Sequence, residues 1–159
     1  MLDIKDLPGL TSVKKTEWKK YYVKNKKKLS GMDTIIHQIH NKISDKTDCL
    51  KCANCCRTLG PRILDKDVAR MAKALRMSTN DVVEKYLLID EDNDLIFKTM
   101  PCPFLDNDNY CSIYENRPKA CREYPHTDSR KFVQIYMLTV KNAETCPIAY
   151  EVMAEMQQL

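Results

Sequence analysis

The octapeptide CLKCANCC, residues 49–56, places Cys49, Cys52, Cys55 and Cys56 within eight positions. So many thiols in so short a span cannot all be ordinary buried side chains. Disulfides, a structural zinc and an iron–sulfur core are the ways to satisfy them. The chain opens MLDIKDLPGL, with acidic residues and no apolar run, so no secretory leader is expected. No stretch approaches the roughly 18 apolar residues of a bilayer span, and no membrane partner is expected. These features suggest a cytoplasmic protein, in which thiols stay reduced and bind metal in preference to cross-linking.

Cys49, Cys52 and Cys55 make the C-x2-C-x2-C repeat of bacterial ferredoxin runs. There one loop wraps three corners of a cubane and a distant cysteine supplies the fourth. Structural zinc more often uses two separated CxxC knuckles, and this chain has no second CxxC. The spacing therefore points to an iron–sulfur cluster on Cys49, Cys52, Cys55 and a remote cysteine, with zinc as the alternative. Side chains of adjacent residues tend to diverge, so Cys56 is expected to serve a second site or to be a spare, reactive thiol. Cys102, Cys111, Cys121 and Cys146 are too widely spaced for a local knuckle, and only folding can gather them. All 8 cysteines are candidate ligands, in two four-coordinate sites or in one site with thiols left over. Cys49, Cys52 and Cys56 give x2 then x3, the reverse of the adenosylmethionine-radical order, so a radical enzyme is not expected.

With 159 residues the chain is expected to form one mainly α domain, helices around a loop-rich metal centre with at most short strands. Its 3 glycines lie far apart, which excludes the phosphate-cradling loops of P-loop and Rossmann proteins. Residues 1–48 read as a lysine-rich helical extension packed on the domain, 49–147 as the metal-binding domain, and 148–159 as its last helix. Between Lys14 and Lys28 eight lysines face the single Glu17, with Trp18, Tyr21 and Tyr22 among them. Such a face suits an anionic partner, nucleic acid included. The plainer reading buries the aromatics and leaves the lysines in water. Ile35, Ile36, Ile39 and Ile43 recur at helical spacing, flanked by His37 and His40, an i, i+3 pair able to hold metal but usually inert.

Further along, Asp65 reads as the N-cap of a helix burying Leu64, Val68, Met71 and Leu75. Ser78 and Asp81 form a capping box opening a helix through Val83, Tyr86 and Leu87. DEDND at 90–94 imitates a calcium loop, but Leu95 stands where glycine is needed and Pro101 where the bidentate glutamate belongs. It is expected to be a turn, as is DNDN at 106–109. Phe132, Ile135, Tyr136 and Leu138, then Ala149, Val152, Met153 and Met156, follow helical spacing, though the first set has strand-like composition as well. No hydrolytic constellation is present.

CLKCANCC resembles the CxxCxxCC signature of the YkgJ-type cysteine-cluster family, described as a zinc- or iron-chelating domain. The likeness continues through CPFL at 102–105 and CSIYENRPKACREYP at 111–125, with Cys146-Pro147 fitting a downstream block. Ala53 departs from it, standing where the family often has glycine. The resemblance implies an intracellular metal or iron–sulfur protein with a protein or redox partner. It also implies a loose link to Fe–S oxidoreductases and to flagellin lysine methylases, so whether the chain is an enzyme stays open. Four thiolates around a +2 centre leave about −2, which Arg57, Arg117, Lys119 and Arg122 are placed to offset. Tyr114 and Tyr124 either donate to sulfur or pack the turns, and His126 is an off-pattern ligand candidate.

Overall fold

A computed structural model describes residues 2–159. In chain order its elements are α1 (Leu7–Leu29), α2 (Asp33–Ser44), α3 (Cys49–Cys52), α4 (Asn54–Thr58), α5 (Asp65–Leu75), α6 (Thr79–Tyr86), β1 (Leu87–Ile89), β2 (Leu95–Phe97), α7 (Lys119–Glu123), α8 (Phe132–Asn142) and α9 (Pro147–Met156). The fold is mainly α, as expected, and its sheet among the described residues is the antiparallel pair β1–β2. Backbone contacts divide the chain into two compact units: residues up to Cys49 together with Pro125–Leu159, and Leu50–Tyr124. None of the described helices is long and apolar enough to cross a membrane.

The first unit is a packing of α1, α2, α8 and α9. Pro8 in the first turn starts α1, where a missing N–H costs nothing. The aromatic residues of its lysine-rich stretch face inward. Trp18 is fully buried and donates from Nε1 to Gln157 Oε1 at 3.1 Å. Tyr22 stacks on Tyr136 with ring centroids 4.8 Å apart, and the Tyr21 hydroxyl donates to the Met156 carbonyl. The buried Tyr136 hydroxyl donates to the Trp18 carbonyl at 3.0 Å. Burial first, and Tyr21 second, push the Tyr136 pKa up, so the phenol stays neutral as the donor this bond requires. The stretch from Phe132 is helix, because Phe132, Tyr136 and Val140 repeat every fourth residue on a buried stripe. On α9, Ala149, Val152, Met153 and Met156 are buried, as their spacing indicates. Of the α2 isoleucines, Ile36 and Ile43 are buried whereas Ile35 is exposed.

The second unit has its own core of Ile63, Val68, Met71, Ala72, Val82, Leu87, Phe97, Phe104 and Ile113. Ser78 and Asp81 cap α6 reciprocally: the Asp81 amide donates to Ser78 Oγ and the Ser78 amide to Asp81 Oδ2. Leu87, expected to end that helix, instead opens β1. The acidic DEDND stretch is the hairpin turn. Asp90 Oδ1 accepts the amides of Asp92 and Asp94, and Asn93 takes the left-handed conformation such turns favour. DNDN is likewise a turn, closed by Asn109 donating to the Asp106 carbonyl.

One local expectation fails. Asp65 is not the cap of α5: Leu64 occupies that place, and the Leu64 amide donates to Asp67 Oδ2 at 2.9 Å. Leu64 is accordingly 39% exposed rather than buried. An acid at the third helical position can satisfy the cap's amide from inside the helix, and here that competition removes Asp65 from the role.

Trp18→Ala removes both the largest buried side chain of the first unit and its tie to Gln157. A loss of about 3–5 kcal/mol is expected in denaturant unfolding. A change below about 1 kcal/mol would mean that α1 is not packed through this residue.

Candidate metal centre

In the second unit the thiols are carried on backbone segments tied directly to one another. Cys55 and Cys56 lie on α4, whose preceding residue Ala53 is left-handed with φ 45° and ψ 16°. That conformation sets the chain from α3 into α4, and it costs a residue with a Cβ about 1–2 kcal/mol. Glycine adopts the same conformation without that cost. The Cys102 amide donates to the Cys56 carbonyl at 2.8 Å, which pins the CPFL turn to α4. Phe104 anchors that turn in the core against Tyr86 and Phe97. A bridge between Leu105 and Cys111, with the Ser112 amide on the Phe104 carbonyl, then sets Cys111 beside it. Cys121 follows on α7.

A buried carboxylate fixes this last segment. Asp67, 1% exposed, accepts from the Lys119 amide at 3.0 Å and from Arg70 Nη2 at 2.5 Å, besides the Leu64 amide. Arg70 in turn donates to the Arg117 carbonyl at 3.0 Å. One acid thus joins the start of α5 to the RPKAC stretch that carries Cys121. Burial works against its ionisation, but the amides of Leu64 and Lys119 and the Arg70 guanidinium outweigh it, leaving the pKa below the ordinary carboxylate value.

Cys56, Cys102, Cys111 and Cys121 are close enough for charge on one to act on the others. Burial raises Cys121 to about 12, with Cys102, Cys56 and Cys111 adding to the rise. Burial likewise raises Cys102 to about 11, assisted by Cys56 and Cys111, and raises Cys111 with Cys56 contributing. The Phe104 amide donates to the Cys102 sulfur and the Ile113 amide to the Cys111 sulfur, each opposing the rise. Cys56 moves the other way, down to about 7. Its hydrogen bond with Cys55 is the main cause, opposed by burial and helped by Arg117 and Arg57. Sulfurs of Cys55 and Cys56 are 3.9 Å apart, which overturns the expectation that their side chains diverge. That expectation suits extended chain, where successive side chains alternate. In a helix successive residues are separated by only about 100° of rotation, so neighbours can lean together.

Positive charge is placed here locally, since residues 50–124 carry twelve basic and twelve acidic side chains and no surplus. Arg57 bonds Asn109, and Arg117 lies 3.5 Å over the Tyr114 ring, itself stacked on Tyr110. Arg117 Nε is buried with no hydrogen-bond partner among the described residues. The other two cations expected to help have different placements: Lys119 Nζ pairs with Glu123 at 3.7 Å, and Arg122 is exposed.

Three thiols that ionise poorly and one, Cys56, that ionises readily thus share this part of the unit with the buried guanidinium N–H of Arg117. Among the described residues, no three histidine, cysteine or acidic side chains already stand in ligating geometry. Cys52 ends α3 half-buried and Cys49 opens it exposed, while Cys146 is buried at the start of α9 in the first unit. The histidine pair is engaged within the first unit: His37 Nε2 meets the Ser129 carbonyl at 3.2 Å and His40 Nδ1 meets Thr127 Oγ1 at 2.6 Å. His126 has a positive φ of 69° and accepts at its carbonyl from Ser129. Asp67 and Arg70 are functional residues that the sequence alone does not single out; of the two aspartates in ILDKD, Asp67 rather than Asp65 takes the capping and anchoring role.

A family model described as "CxxCxxCC: Putative zinc- or iron-chelating domain" matches residues 48–147. A protein of Methanocaldococcus jannaschii printed as "Uncharacterized protein MJ0661" is 33% identical over 85 residues, 50% of this chain and 44% of its own length. The chain therefore spans less than half of that relative. No solved structure matches the chain significantly.

Three outcomes check this geometry. Asp67→Ala is expected to lower stability by about 2–3 kcal/mol, less than a fully buried pair because Arg70 is one-third exposed. Because the folded pKa is depressed, the stabilisation is complete above the unfolded value and lost as pH falls through the folded one. Asp67→Asn should therefore flatten the acid limb of the stability–pH curve. Ala53→Gly, which relieves a left-handed Cβ, is expected to raise stability by up to about 1 kcal/mol in thermal unfolding, and any loss would contradict that backbone assignment.

Proposed function

The chain belongs to the CxxCxxCC family of zinc- or iron-chelating domains and is a metal-binding protein, and we propose that its second unit chelates one zinc or iron ion through Cys56, Cys102, Cys111 and Cys121. The observation carrying this is the backbone that ties their four segments together in one unit: the Cys102 amide on the Cys56 carbonyl, the Leu105–Cys111 bridge, and Asp67 on the Lys119 amide ahead of Cys121. Four protein sulfurs complete a tetrahedral shell and leave no position for a substrate, which favours holding the ion over hydrolytic turnover. The ion supplies a charge that converts four thiols into thiolates. What the chain supplies is the arrangement. The amides of Phe104 and Ile113 point at two sulfurs, Arg57 and Arg117 face the residual charge of about −2, and Asp67 with Arg70 holds the segment leading to Cys121.

A second reading places an iron–sulfur cluster on Cys49, Cys52 and Cys55 with a remote cysteine, serving electron transfer or modification of a partner. The C-x2-C-x2-C spacing favours it. Anaerobic purification with zinc, iron and sulfide analysis separates the readings. The first expects one ion per chain, no sulfide, and loss of the ion in Ser variants of Cys56, Cys102, Cys111 or Cys121. Stoichiometric sulfide lost on replacing Cys49 would establish the second.

Chelation at pH 7 is expected to release roughly three to four protons per ion, since Cys102 and Cys121 titrate near 11 and 12, Cys111 is also raised, and Cys56 is half-ionised near 7. Affinity must then rise with pH. Calorimetry in buffers of different ionisation enthalpy measures the count, and a value near zero would contradict ligation by these thiols.

A further inference from the structure

Most lysines of α1 find no acid on the protein itself. Lys14 pairs with Glu17 at 3.0 Å, Lys15 pairs with Glu144 at 2.8 Å, and Lys28 donates to the Leu159 carbonyl at 2.8 Å. Lys19, Lys20, Lys24, Lys26 and Lys27 are exposed and, among the described residues, stand in no ion pair. Trp18 and Leu29 are fully buried and mark the inward line of the helix. At about 100° per residue, Lys20, Lys24 and Lys27 lie on the opposite side, with Lys19 and Lys26 on one flank. Lys24, Lys26 and Lys27 line a shallow groove with Val23, Ser30 and Val133. Charge is divided just as unevenly along the chain. Residues 50–124 carry no surplus, so the whole net charge of +4 belongs to the first unit.

We propose that the outward face of α1 docks on the phosphate backbone of duplex DNA through Lys19, Lys20, Lys24, Lys26 and Lys27. These five cations occupy about 12 Å of helix axis, a density comparable with the one negative charge per about 1.7 Å of duplex. A single strand is held largely by stacking on aromatic rings, and this helix offers none. Trp18 packs on Tyr150, Tyr22 stacks on Tyr136, and the Tyr21 hydroxyl is tied to the Met156 carbonyl. A lipid surface takes an apolar strip. Here Val13 and Val23, each 79% exposed, stand about 15 Å apart along the axis with lysines between them. Lysine to phosphate is contact by charge, so the face binds duplex without reading its sequence. Nothing in this contact depends on what the second unit chelates.

Fluorescence anisotropy of the full chain with a duplex of about 20 base pairs tests this, from about 50 to about 200 mM salt. Five phosphate contacts give a slope of log affinity on log salt near about −4.5, so affinity should fall about 500-fold over that range. The triple variant Lys20→Gln, Lys24→Gln, Lys27→Gln should shrink the slope to about −1.8 and weaken binding at low salt by at least about tenfold. All three lysines are exposed, so its circular dichroism and melting temperature should match those of wild type. The set Lys66→Gln, Lys73→Gln, Lys85→Gln removes the same charge from exposed positions of the second unit and should bind within about twofold of wild type. Absence of binding at the lowest salt would overturn the proposal. Equal weakening by the second set would overturn it as well, by reducing the effect to net charge. Tighter binding to a single strand of the same bases, or to vesicles containing phosphatidylserine, would overturn it by assigning the face to another partner.

Discussion

Thiolates repel one another, and away from bulk water they repel strongly. Cys102, Cys111 and Cys121 illustrate the point, since burial, with Cys56 adding to it in each case, holds all three above the ordinary thiol range. A fold that gathers such groups keeps protons on the sulfurs or sets positive charge beside them. The rest of the second unit follows from supporting both. Its loops are pinned by backbone bonds rather than by the sulfurs themselves, as in the Cys102 amide on Cys56 and the Leu105–Cys111 bridge. The arrangement can then persist through changes of protonation.

The Asp67–Arg70 pair belongs to the same logic. A segment carrying a half-buried thiol, if ordered only through that thiol, would lose its conformation whenever the sulfur changed state. Here a buried carboxylate holds the Lys119 amide, and Arg70 holds the Arg117 carbonyl, without any sulfur taking part. The conformational entropy of the RPKAC stretch is met by these bonds rather than by the thiol of Cys121. Arg117 gains a fixed position over Tyr114 from the same restraint.

Much of this architecture was legible in the sequence where the signal is local. The Ser78–Asp81 box, the hairpin turn at Asp90 and the buried stripe of α9 follow from spacing and side-chain chemistry that act within a few residues. The inward Trp18 and Tyr22 agree with the plainer reading of the lysine-rich helix, in which the aromatics are buried and the lysines stay in water. What was not legible depends on long-range closure. Beside a ferredoxin-like triplet, Cys56 reads as part of a second site or as a spare thiol. Its part in a group with Cys102, Cys111 and Cys121 arises only after CPFL docks on α4. Asp67 was missed because its partners, the Lys119 amide and Arg70, are recognisable only once α5 and α7 are adjacent.

The division of the chain has a bearing on synthesis. Leu50–Tyr124 is an insertion between the two stretches that form the helical unit, whose α1 and α2 pack on α8 and α9. During translation the first two helices emerge early but wait for the last 35 residues, Pro125–Leu159, before they can bury Trp18, Ile36 and Ile43. The inserted unit has all of its own apolar partners by Tyr124 and can condense sooner. The order of maturation is therefore inside first and flanks second. In the interval, exposed apolar faces of α1 and α2 are the segment most in need of protection from aggregation.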